Sequence, residues 1–303
     1  MPKKISEIGE WGLIDRIRKD LKTTRFVQKG AGDDAAVITI PGSSKRLLYT
    51  TDMLVEDVHF TKDHSPKAIG HKAIACSMSD VAAMGGLPKY AVVSIGISGD
   101  VEMPFVNQLY AGMNEIAVKF GTCIVGGDTV KSRKLIINVT LLGEAKESEI
   151  VYRSGARKDD VIFVTGLLGR SYQSGHHLKF IPRVMESQYI VGKFKPTSMI
   201  DISDGLGSDL SHIMKESGVG AVVYEDKIPR NRKATVHQAL TDGEDYELLF
   251  TLPADRAKRV KNQMRAKFFF GEIGKIIDKK EGFVLLDKNG QPRTLKVEGF
   301  NHF

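Results

Sequence analysis

The spacing of apolar and polar positions along the chain predicts a series of helices. In the first of them Ile8, Leu13 and Ile17 fall near one face, as in an amphipathic helix. A Ser-Pro pair at 65–66 is typical of a helix start, and the glycines at 85–86 are typical of a helix end. The predicted helices span residues 5–21, 65–85, 105–120, 205–217, 236–240 and 254–267.

Short apolar runs bounded by glycine, proline and polar residues predict strands between these helices. Residues 123–125 are expected to form a short buried strand that opens into a turn at Gly126-Gly127, and residues 26–31 to form a mobile lead-in to the turn at Gly32. The predicted strands span residues 37–40, 47–52, 90–97, 123–125, 135–142, 161–165, 219–224 and 283–286, with two more ending near 201 and 250.

Helices and strands therefore alternate along most of the chain, which indicates an α/β (α+β) protein. The 303 residues are too many for one small core and suit two domains. A polar stretch beginning at Arg153 separates the two halves. We predict an N-terminal domain over 1–145 and a C-terminal α/β domain over 146–303.

The composition is that of an ordinary globular protein, with 42% hydrophobic and 27% charged residues. No stretch approaches the ~20 apolar residues of a membrane span, and residues 1–7 have no apolar signal-peptide core. We expect no membrane association. The two cysteines, Cys76 and Cys123, both have apolar sequence neighbours, so we expect no disulfide framework and favour a reducing cytoplasm.

The net charge of +7 makes an anionic partner worth considering, either nucleic acid or a small molecule. The basic residues are dispersed in short runs at 16–19, 230–233 and 258–261, which read as solvated faces and loops. The single tryptophan is Trp11, and few aromatic residues interleave with the basic runs, so a platform for stacking bases is not indicated. We expect no nucleic-acid partner.

Acidic residues recur where strands and helices begin or end, beside small residues. One such aspartate means little, because Gly-Asp is ordinary turn chemistry. Asp80 is more informative, since it lies inside an Ala- and Met-rich helix with no Lys or Arg three or four residues away. A metal ion would satisfy it, and a role as a cap of a nearby loop is the alternative. The acids of this kind are Asp33, Asp52, Asp80, Asp128, Asp201 and Asp204.

Gathered in one cluster, these six carboxylates would repel one another and need cations. Carboxylate and hydroxyl oxygens, with few imidazoles and no set of thiolates, point to Mg²⁺ rather than zinc. Mg²⁺ commonly takes one or two protein carboxylates and completes its shell with water and phosphate oxygens. Six acids therefore suggest several ions and a polyphosphate, which points to phosphoryl transfer from ATP as the reaction class.

Seven motifs occur in order along nearly the whole chain. Each is weak alone, but the ordered set is specific. They are Gly32-Asp33-Asp34-Ala35-Ala36, Thr50-Thr51-Asp52, Val58-His59-Phe60, Ser79-Asp80-Val81-Ala82-Ala83-Met84-Gly85, Gly126-Gly127-Asp128-Thr129, Asp201-Ile202-Ser203-Asp204-Gly205-Leu206 and Gly243-Glu244-Asp245-Tyr246-Glu247-Leu248. On these motifs the chain resembles the thiamine-monophosphate kinases, within the aminoimidazole-ribonucleotide-synthetase-like ATP-binding superfamily.

The C-terminal sequence Gly299-Phe300-Asn301-His302-Phe303 adds to this resemblance. The departures are small: Ala31 replaces a common Ile, Thr50 a common Ser and Phe300 a common Trp. Phe300 keeps an aromatic face, so stacking on a substrate ring is retained.

The resemblance implies a two-domain aminoimidazole-ribonucleotide-synthetase-like fold whose N-terminal sheet pairs across a homodimer into a barrel. ATP and thiamine monophosphate would meet in a cleft between the domains, with direct in-line transfer and no residue acting as a covalent nucleophile. The implied Mg²⁺ ligands are Asp33, Thr50, Thr51, Asp52, Asp80, Asp128, Asp201 and Asp204. The implied ATP contacts are Asp33, Tyr110, Gly127, Asp128, Arg153 and Ser203. The implied contacts to thiamine monophosphate are His59, Glu244 and Phe300.

Three other interpretations remain open at this point. The nearest is another enzyme of the superfamily, of the aminoimidazole ribonucleotide synthetase or selenophosphate synthetase type. The latter would want a reactive Cys or selenocysteine near the start, whereas the first cysteine here is Cys76. The others are a non-catalytic nucleotide-binding module and a nucleic-acid binder, which would show steeply salt-dependent binding.

Overall fold

The structure is a computed structural model that describes residues 4–263 and 268–294, and it contains two β-sheets that follow one another along the chain. The helices are α1 Ile5–Asp20, α2 Pro66–Ala83, α3 Met103–Lys119, α4 Ser171–Ser174, α5 Val184–Phe194, α6 Leu206–Ser217, α7 Val236–Thr241 and α8 Ala254–Gln263. The strands of the first sheet are β1 Val27–Lys29, β2 Ala36–Thr39, β3 Lys45–Val55, β4 Leu87–Ile97, β5 Cys123–Lys131 and β6 Ile136–Lys146. The strands of the second are β7 Val161–Thr165, β8 Ser198–Asp201, β9 Gly220–Tyr224, β10 Leu248–Leu252, β11 Phe270–Ile277, β12 Phe283–Leu286 and β13 Pro292–Thr294.

The first sheet has the strand order β1-β2-β3-β6-β4-β5, and helices cover one of its faces. Side chains of β3 therefore alternate between the two faces. Leu48 and Leu54 are buried, whereas Tyr49 and Met53, which lie between them in the sequence, are exposed. The inner face packs on α2, and the outer face has no covering element among the described residues.

Helix α2 is buried almost all round because it lies between the two halves of the molecule. It packs on β3, β4 and β6 of the first sheet, on α3, and on α5 and β8 of the second half. Glycines permit the close crossing of α2 and α3. A Cβ on Gly70 would lie 1.9 Å from the carbonyl oxygen of Leu109, and one on Gly112 would lie 1.9 Å from that of Lys67.

The second sheet has the order β13-β12-β9-β11-β7-β10-β8 and is buried on both faces near its centre. In β7 the side chains of Ile162 and Val164 enter one apolar cluster, with α6 and α7, while Phe163 enters another, with α5 and α8. The continuous apolar run in β7 is explained by these two faces. The predicted α/β (α+β) fold class is confirmed.

Several local expectations were wrong. Residues 123–131 form a nine-residue edge strand that is mostly exposed, rather than a short buried strand and a turn, because β5 pairs only with β4. Cys123 on this strand is exposed, whereas Cys76 is buried as expected. The lead-in at 26–31 contains strand β1, which pairs with β2. Helix α5 was not predicted, although Val184, Ile190, Val191 and Phe194 are buried along one side of it.

Two expectations concern residues outside the described part. The predicted helix 254–267 is present through Gln263, and its last four residues lie beyond that part. Phe300, predicted to contact the substrate, also lies outside it. Within the described ranges no helix is long and apolar enough to cross a membrane.

Candidate active site

A cleft of about 580 Å³ lies between the two halves of the molecule. Asp52 and His59 line it from the first half, and Ser203, Asp204 and Glu244 line it from the second. With Thr51, which also borders the cleft, six of the residues predicted to form the site share one cavity.

Three carboxylates converge beside this cleft from three different elements. Asp34 lies just before β2, Asp80 lies in the last turn of α2, and Asp201 ends β8. One oxygen of each lies within 4.8 Å of an oxygen of the others. The cluster thus joins two segments of the first half to one strand end of the second.

Hydroxyl groups of the small residues around the acids orient several of these carboxylates. Thr50 Oγ1 donates to Asp80 Oδ2 at 2.5 Å, and Ser77 Oγ donates to Asp52 Oδ2 at 2.6 Å. Ser79, on α2, reaches across to the second half and donates to Asp201 Oδ2 at 2.6 Å. The small polar residues beside Asp80 in the sequence therefore hold neighbouring acids in place.

Arg153 is the principal cation beside the cluster. Its Nη2 donates to Asp34 Oδ1 at 2.5 Å, and its backbone N–H donates to Asp33 Oδ1 at 3.1 Å. Lys29 Nζ lies 3.4 Å from Asp33 Oδ2. Within the described residues the second carboxylate oxygens, Asp33 Oδ2 and Asp34 Oδ2, are buried without a hydrogen-bond partner.

Burial makes ionisation of the cluster costly. Desolvation is the largest cause that raises the pKa of Asp34 to about 7 and that of Asp201 to about 6. Burial, and then repulsion from Asp52 and Asp201, holds the pKa of Asp80 well above its usual value. Burial and the charge of Asp34 likewise raise the pKa of Asp33 to about 6. A cation placed among these oxygens would favour their ionised forms.

A second acidic group continues the cluster at the start of α6. Asp209 Oδ2 accepts the backbone N–H groups of Asp204 and Gly205, both at 3.1 Å, and so fixes the loop that carries Asp204. Burial, followed by the charge of Glu10, raises the pKa of Asp204 to about 6. Helix α1 reaches this region, since the Trp11 and His212 rings lie 4.1 Å apart.

The donor set fits Mg²⁺. Asp34, Asp80 and Asp201 offer only oxygen, which is the donor that a hard cation prefers. Two buried carboxylate oxygens have no hydrogen-bond partner in the described part, and the acids repel one another. Each feature would be relieved by a divalent cation with its own water and phosphate ligands.

Two of the predicted ligands lie on the other face of the first sheet. Asp52 and Thr50 are on the inner face with α2. Thr51 Oγ1 lies 3.1 Å from Thr140 Oγ1 on the neighbouring strand. Thr51 also borders the cleft. The strand pairing Met53–Asn138–Ser94–Asp128 puts Asp128 in an outer-face row, three strand spacings from β3. Their role as ligands stays a prediction.

Two further predicted ATP contacts lie apart from the acids. A Cβ on Gly127 would lie 1.8 Å from the carbonyl oxygen of Val93, so glycine is required there for β5 to pair with β4. Tyr110, on α3, packs half-buried against the core of the first half. Their contacts to ATP also stay predictions.

The structure adds residues that the sequence alone did not single out. Asp34 takes a central place in the cluster, although only its neighbour Asp33 was predicted to be a ligand. The motif contained both, but no pattern indicated which of the two carboxylates lies with Asp80 and Asp201. Asp209 was missed as well; its signal is an acid in the first turn of a helix that follows Asp204. Lys72 was also missed, and the only indication of it in the sequence is that this lysine lies in an apolar helix.

Comparisons with known proteins agree with this geometry. The family model for the N-terminal domain of AIR synthase related proteins matches residues 32–145, and that for the C-terminal domain matches residues 156–287. Thiamine-monophosphate kinase of Aquifex aeolicus (strain VF5) is 36% identical, with 99% of this chain and 100% of the relative covered. The Bacillus subtilis (strain 168) protein of the same name is 33% identical, with 98% and 100% covered.

A solved structure also matches over the full length. It is described as AaThiL complexed with AMPPCP and TMP, is 33% identical, and superposes with a TM-score of 0.87 over 100% of both chains. The two-domain architecture is therefore that of AIR synthase related proteins, and the full-length identities are to one group within them. This chain belongs to the thiamine-monophosphate kinase family of AIR synthase related proteins.

Proposed function

We propose that this protein transfers the γ-phosphoryl group of ATP to the phosphate of thiamine monophosphate, giving ADP and thiamine diphosphate. The observation that carries the proposal is the convergence of Asp34, Asp80 and Asp201, close to the cleft-lining acids Asp52 and Asp204. It occurs in a chain that matches thiamine-monophosphate kinases along its length. The matching structure described as a complex with AMPPCP, an ATP analogue, and TMP supports the same pair of substrates.

The acids are the groups that would hold Mg²⁺. Asp34, Asp80 and Asp201 would form the centre, because their oxygens already lie together. Mg²⁺, when bound, would neutralise the phosphate charge that develops during transfer. Since each ion takes few protein carboxylates, the acids would serve several ions. The remaining proposed ligands are Asp33, Thr50, Thr51, Asp52, Asp128 and Asp204.

The chain itself would act mainly by positioning. The acceptor oxygen belongs to a phosphate that is ionised at neutral pH, so no strong general base is required. The thiol of Cys76 borders the cleft, but burial, more than any other cause, raises its pKa well above the usual value, which makes it a poor nucleophile. These features support direct in-line transfer without a covalent enzyme intermediate.

The nucleotide would contact residues of both halves. Arg153 already orients Asp33 and Asp34, and Ser203 lines the cleft beside Asp204. Both would lie near the phosphates. The proposed ATP contacts are Asp33, Tyr110, Gly127, Asp128, Arg153 and Ser203.

The acceptor would lie in the part of the cleft that His59 and Glu244 line. Glu244 offers a carboxylate that is 24% exposed, and thiamine monophosphate carries a positively charged ring. Opposite charge would favour this orientation, with the acceptor phosphate toward the acids of the other end. We propose that Phe300 adds a stacking face to the same substrate.

We further propose that the protein works as a homodimer. Exposed apolar side chains lie on the outer face of the first sheet, opposite the helices; they include Tyr49, Met53, Tyr90, Val92 and Val130. Covering them with the same face of a second copy would form the barrel and bury this patch. It would also give Thr51 and Asp128 a partner across the interface. Sedimentation should show twice the mass of 33.4 kDa.

Both cysteines are free thiols, and Cys123 is exposed. A reducing compartment suits an exposed free thiol, and we propose the cytoplasm.

The decisive assay mixes purified protein with ATP, Mg²⁺ and thiamine monophosphate and separates the products by chromatography. We expect thiamine diphosphate and ADP in equal amounts, and only when Mg²⁺ is present. A single turnover with γ-labelled ATP should leave no label on the protein. ADP formed only with a different acceptor would overturn the substrate, and ATP binding without turnover would identify a nucleotide-binding module.

A further inference from the structure

Lys72 is a fully buried lysine at the boundary between the two halves. It belongs to α2, eight residues before Asp80, and has 0% of its surface exposed. Its Nζ donates to the carbonyl oxygen of His59 at 2.8 Å and makes a short ion pair with the carboxylate of Glu244. Lysines are rarely buried unless their charge is paired, and here the carboxylate of Glu244 supplies the opposite charge.

The backbone of Glu244 is fixed by other contacts. Its N–H donates to the carbonyl oxygen of Ser203 at 2.7 Å, and its own carbonyl oxygen accepts from Ser171 Oγ at 2.6 Å. Its φ of 53° lies in the left-handed region, which is uncommon for a residue with a side chain. With the main chain held in this way, Lys72 determines where the carboxylate of Glu244 points.

The same ammonium group also holds the loop of His59. The His59 ring accepts the N–H of Val55 through Nδ1 at 3.0 Å, and the main-chain oxygen of His59 accepts from Lys72. Both residues line the cleft, one from each half of the molecule. A single buried side chain therefore connects the two residues that we propose contact the acceptor.

We infer that Lys72 is a positioning residue for acceptor recognition: it aims the Glu244 carboxylate and fixes the His59 loop to receive the cationic end of thiamine monophosphate. This inference rests on the function proposed above. Within the described part of the chain, the ammonium group of Lys72 contacts His59 and Glu244 rather than Asp34, Asp80 or Asp201. Thr50 and Ser79 orient the last two acids independently. Loss of Lys72 should therefore weaken the binding of thiamine monophosphate more than the binding of ATP.

The test is a double-variant cycle in the full-length protein with Lys72→Met, Glu244→Gln and both together. For Lys72→Met we expect KM for thiamine monophosphate to rise about tenfold or more, with KM for ATP changed less than about twofold. The double variant should resemble Glu244→Gln alone within about twofold, because Lys72 then has no carboxylate to aim. Lys72→Arg should recover part of the acceptor affinity.

Lys67→Met is the matched control, since Lys67 lies on the same helix but pairs with Glu115 at an exposed position. It should leave both KM values unchanged. If Lys72→Met does not accumulate as folded protein, Lys72→Gln replaces it in the same cycle. Parallel rises in both KM values, or effects of Lys72 and Glu244 that multiply, would overturn the inference while leaving the kinase activity intact. A wild-type protein that neither binds nor converts thiamine monophosphate would instead overturn the proposed function, and this inference with it.

Discussion

Two groups of acidic residues lie near the cleft, and the chain neutralises them in opposite ways. Glu244 and Glu247 each face a basic side chain of their own, Lys72 and Arg183. Thr165 Oγ1 also donates to Glu247 at 2.6 Å. In this group, every carboxylate has a cation supplied by folding.

In the cluster around Asp34, Asp80 and Asp201, the described basic side chains do not pair one to one with the carboxylates. Arg153 pairs with Asp34, while burial and mutual repulsion raise the pKa values of the cluster. The ion pair of Arg183 with the buried Glu247 serves the structure, whereas a surplus of buried acid is tolerated where a cation comes with the substrate. The comparison predicts opposite consequences for substitutions at Asp80 and at Arg183.

The largest expected effect is that of Asp80→Asn on turnover. The amide keeps the size but removes a charge from the centre of the cluster, so kcat should fall about a thousandfold. Melting temperature without Mg²⁺ should stay the same or rise, because repulsion with Asp52 and Asp201 is lost. Asp63→Asn, at an exposed position, is the control and should change neither quantity. Lower stability together with normal turnover would place Asp80 in the structural group.

Arg183→Met should show the reverse pattern. It leaves the buried Glu247 carboxylate without its cation, which should reduce the free energy of unfolding by about 3 kcal/mol in urea titrations. Turnover per folded molecule should change little. Adding Glu247→Gln should recover part of the loss, and Lys158→Met, which breaks an exposed pair with Asp278, should have no measurable effect. Unchanged stability in Arg183→Met would contradict the matched role of the pair.

The smallest expected effect is a pH dependence of stability without Mg²⁺. In the folded protein the pKa of Asp34 is about 7 and that of Asp201 is about 6, whereas the ordinary pKa of an aspartate is 3.8. Above about pH 4 the folded protein therefore keeps protons on these two carboxyl groups that the unfolded chain has already released. Stability should therefore fall as pH rises from about 4 to 7. Thermal unfolding across this range measures it.

Asp34→Asn should flatten that dependence, because one of the retained protons is then absent. Added Mg²⁺ should raise the melting temperature most at the upper end of the range, where the carboxylates are ionised and binding requires no proton release. Stability that rises from pH 4 to 7 in the metal-free wild type would mean that the cluster is already neutralised within the chain.

The sequence predicted most elements because their periodicity is strong, as in α2 and α3, and because glycines mark their ends. It did not predict the length or exposure of β5, since an edge strand with Gly126 and Gly127 looks like a turn until its neighbour β4 is known. Local residues do not contain that information. The two sheet faces present the same limit, because Thr50 and Thr51 are adjacent in one motif yet have their hydroxyls on opposite faces.

The candidate site was predictable as a set of acids and less so in its arrangement. Asp80 was conspicuous because its helix offers no cation nearby, and it lies at the centre of the cluster. The choice between Asp33 and Asp34 depends on how the loop before β2 meets Arg153, which is 119 residues from Asp34. Lys72 was invisible for the same reason, since its partner Glu244 is 172 residues away.

Helix α2 also sets a length. Lys72 and Asp80 are separated by eight residues, which in an α-helix corresponds to about 12 Å along the axis and a little over two turns. Lys72, in the first half of the helix, pairs with Glu244, and Asp80, in its last turn, belongs to the carboxylate cluster. Helix α2 therefore fixes the distance between these two parts of the site. Inserting a single residue between them would turn one end by about 100° relative to the other. An insertion or deletion between Lys72 and Asp80 would therefore separate the acceptor side of the site from the carboxylate cluster.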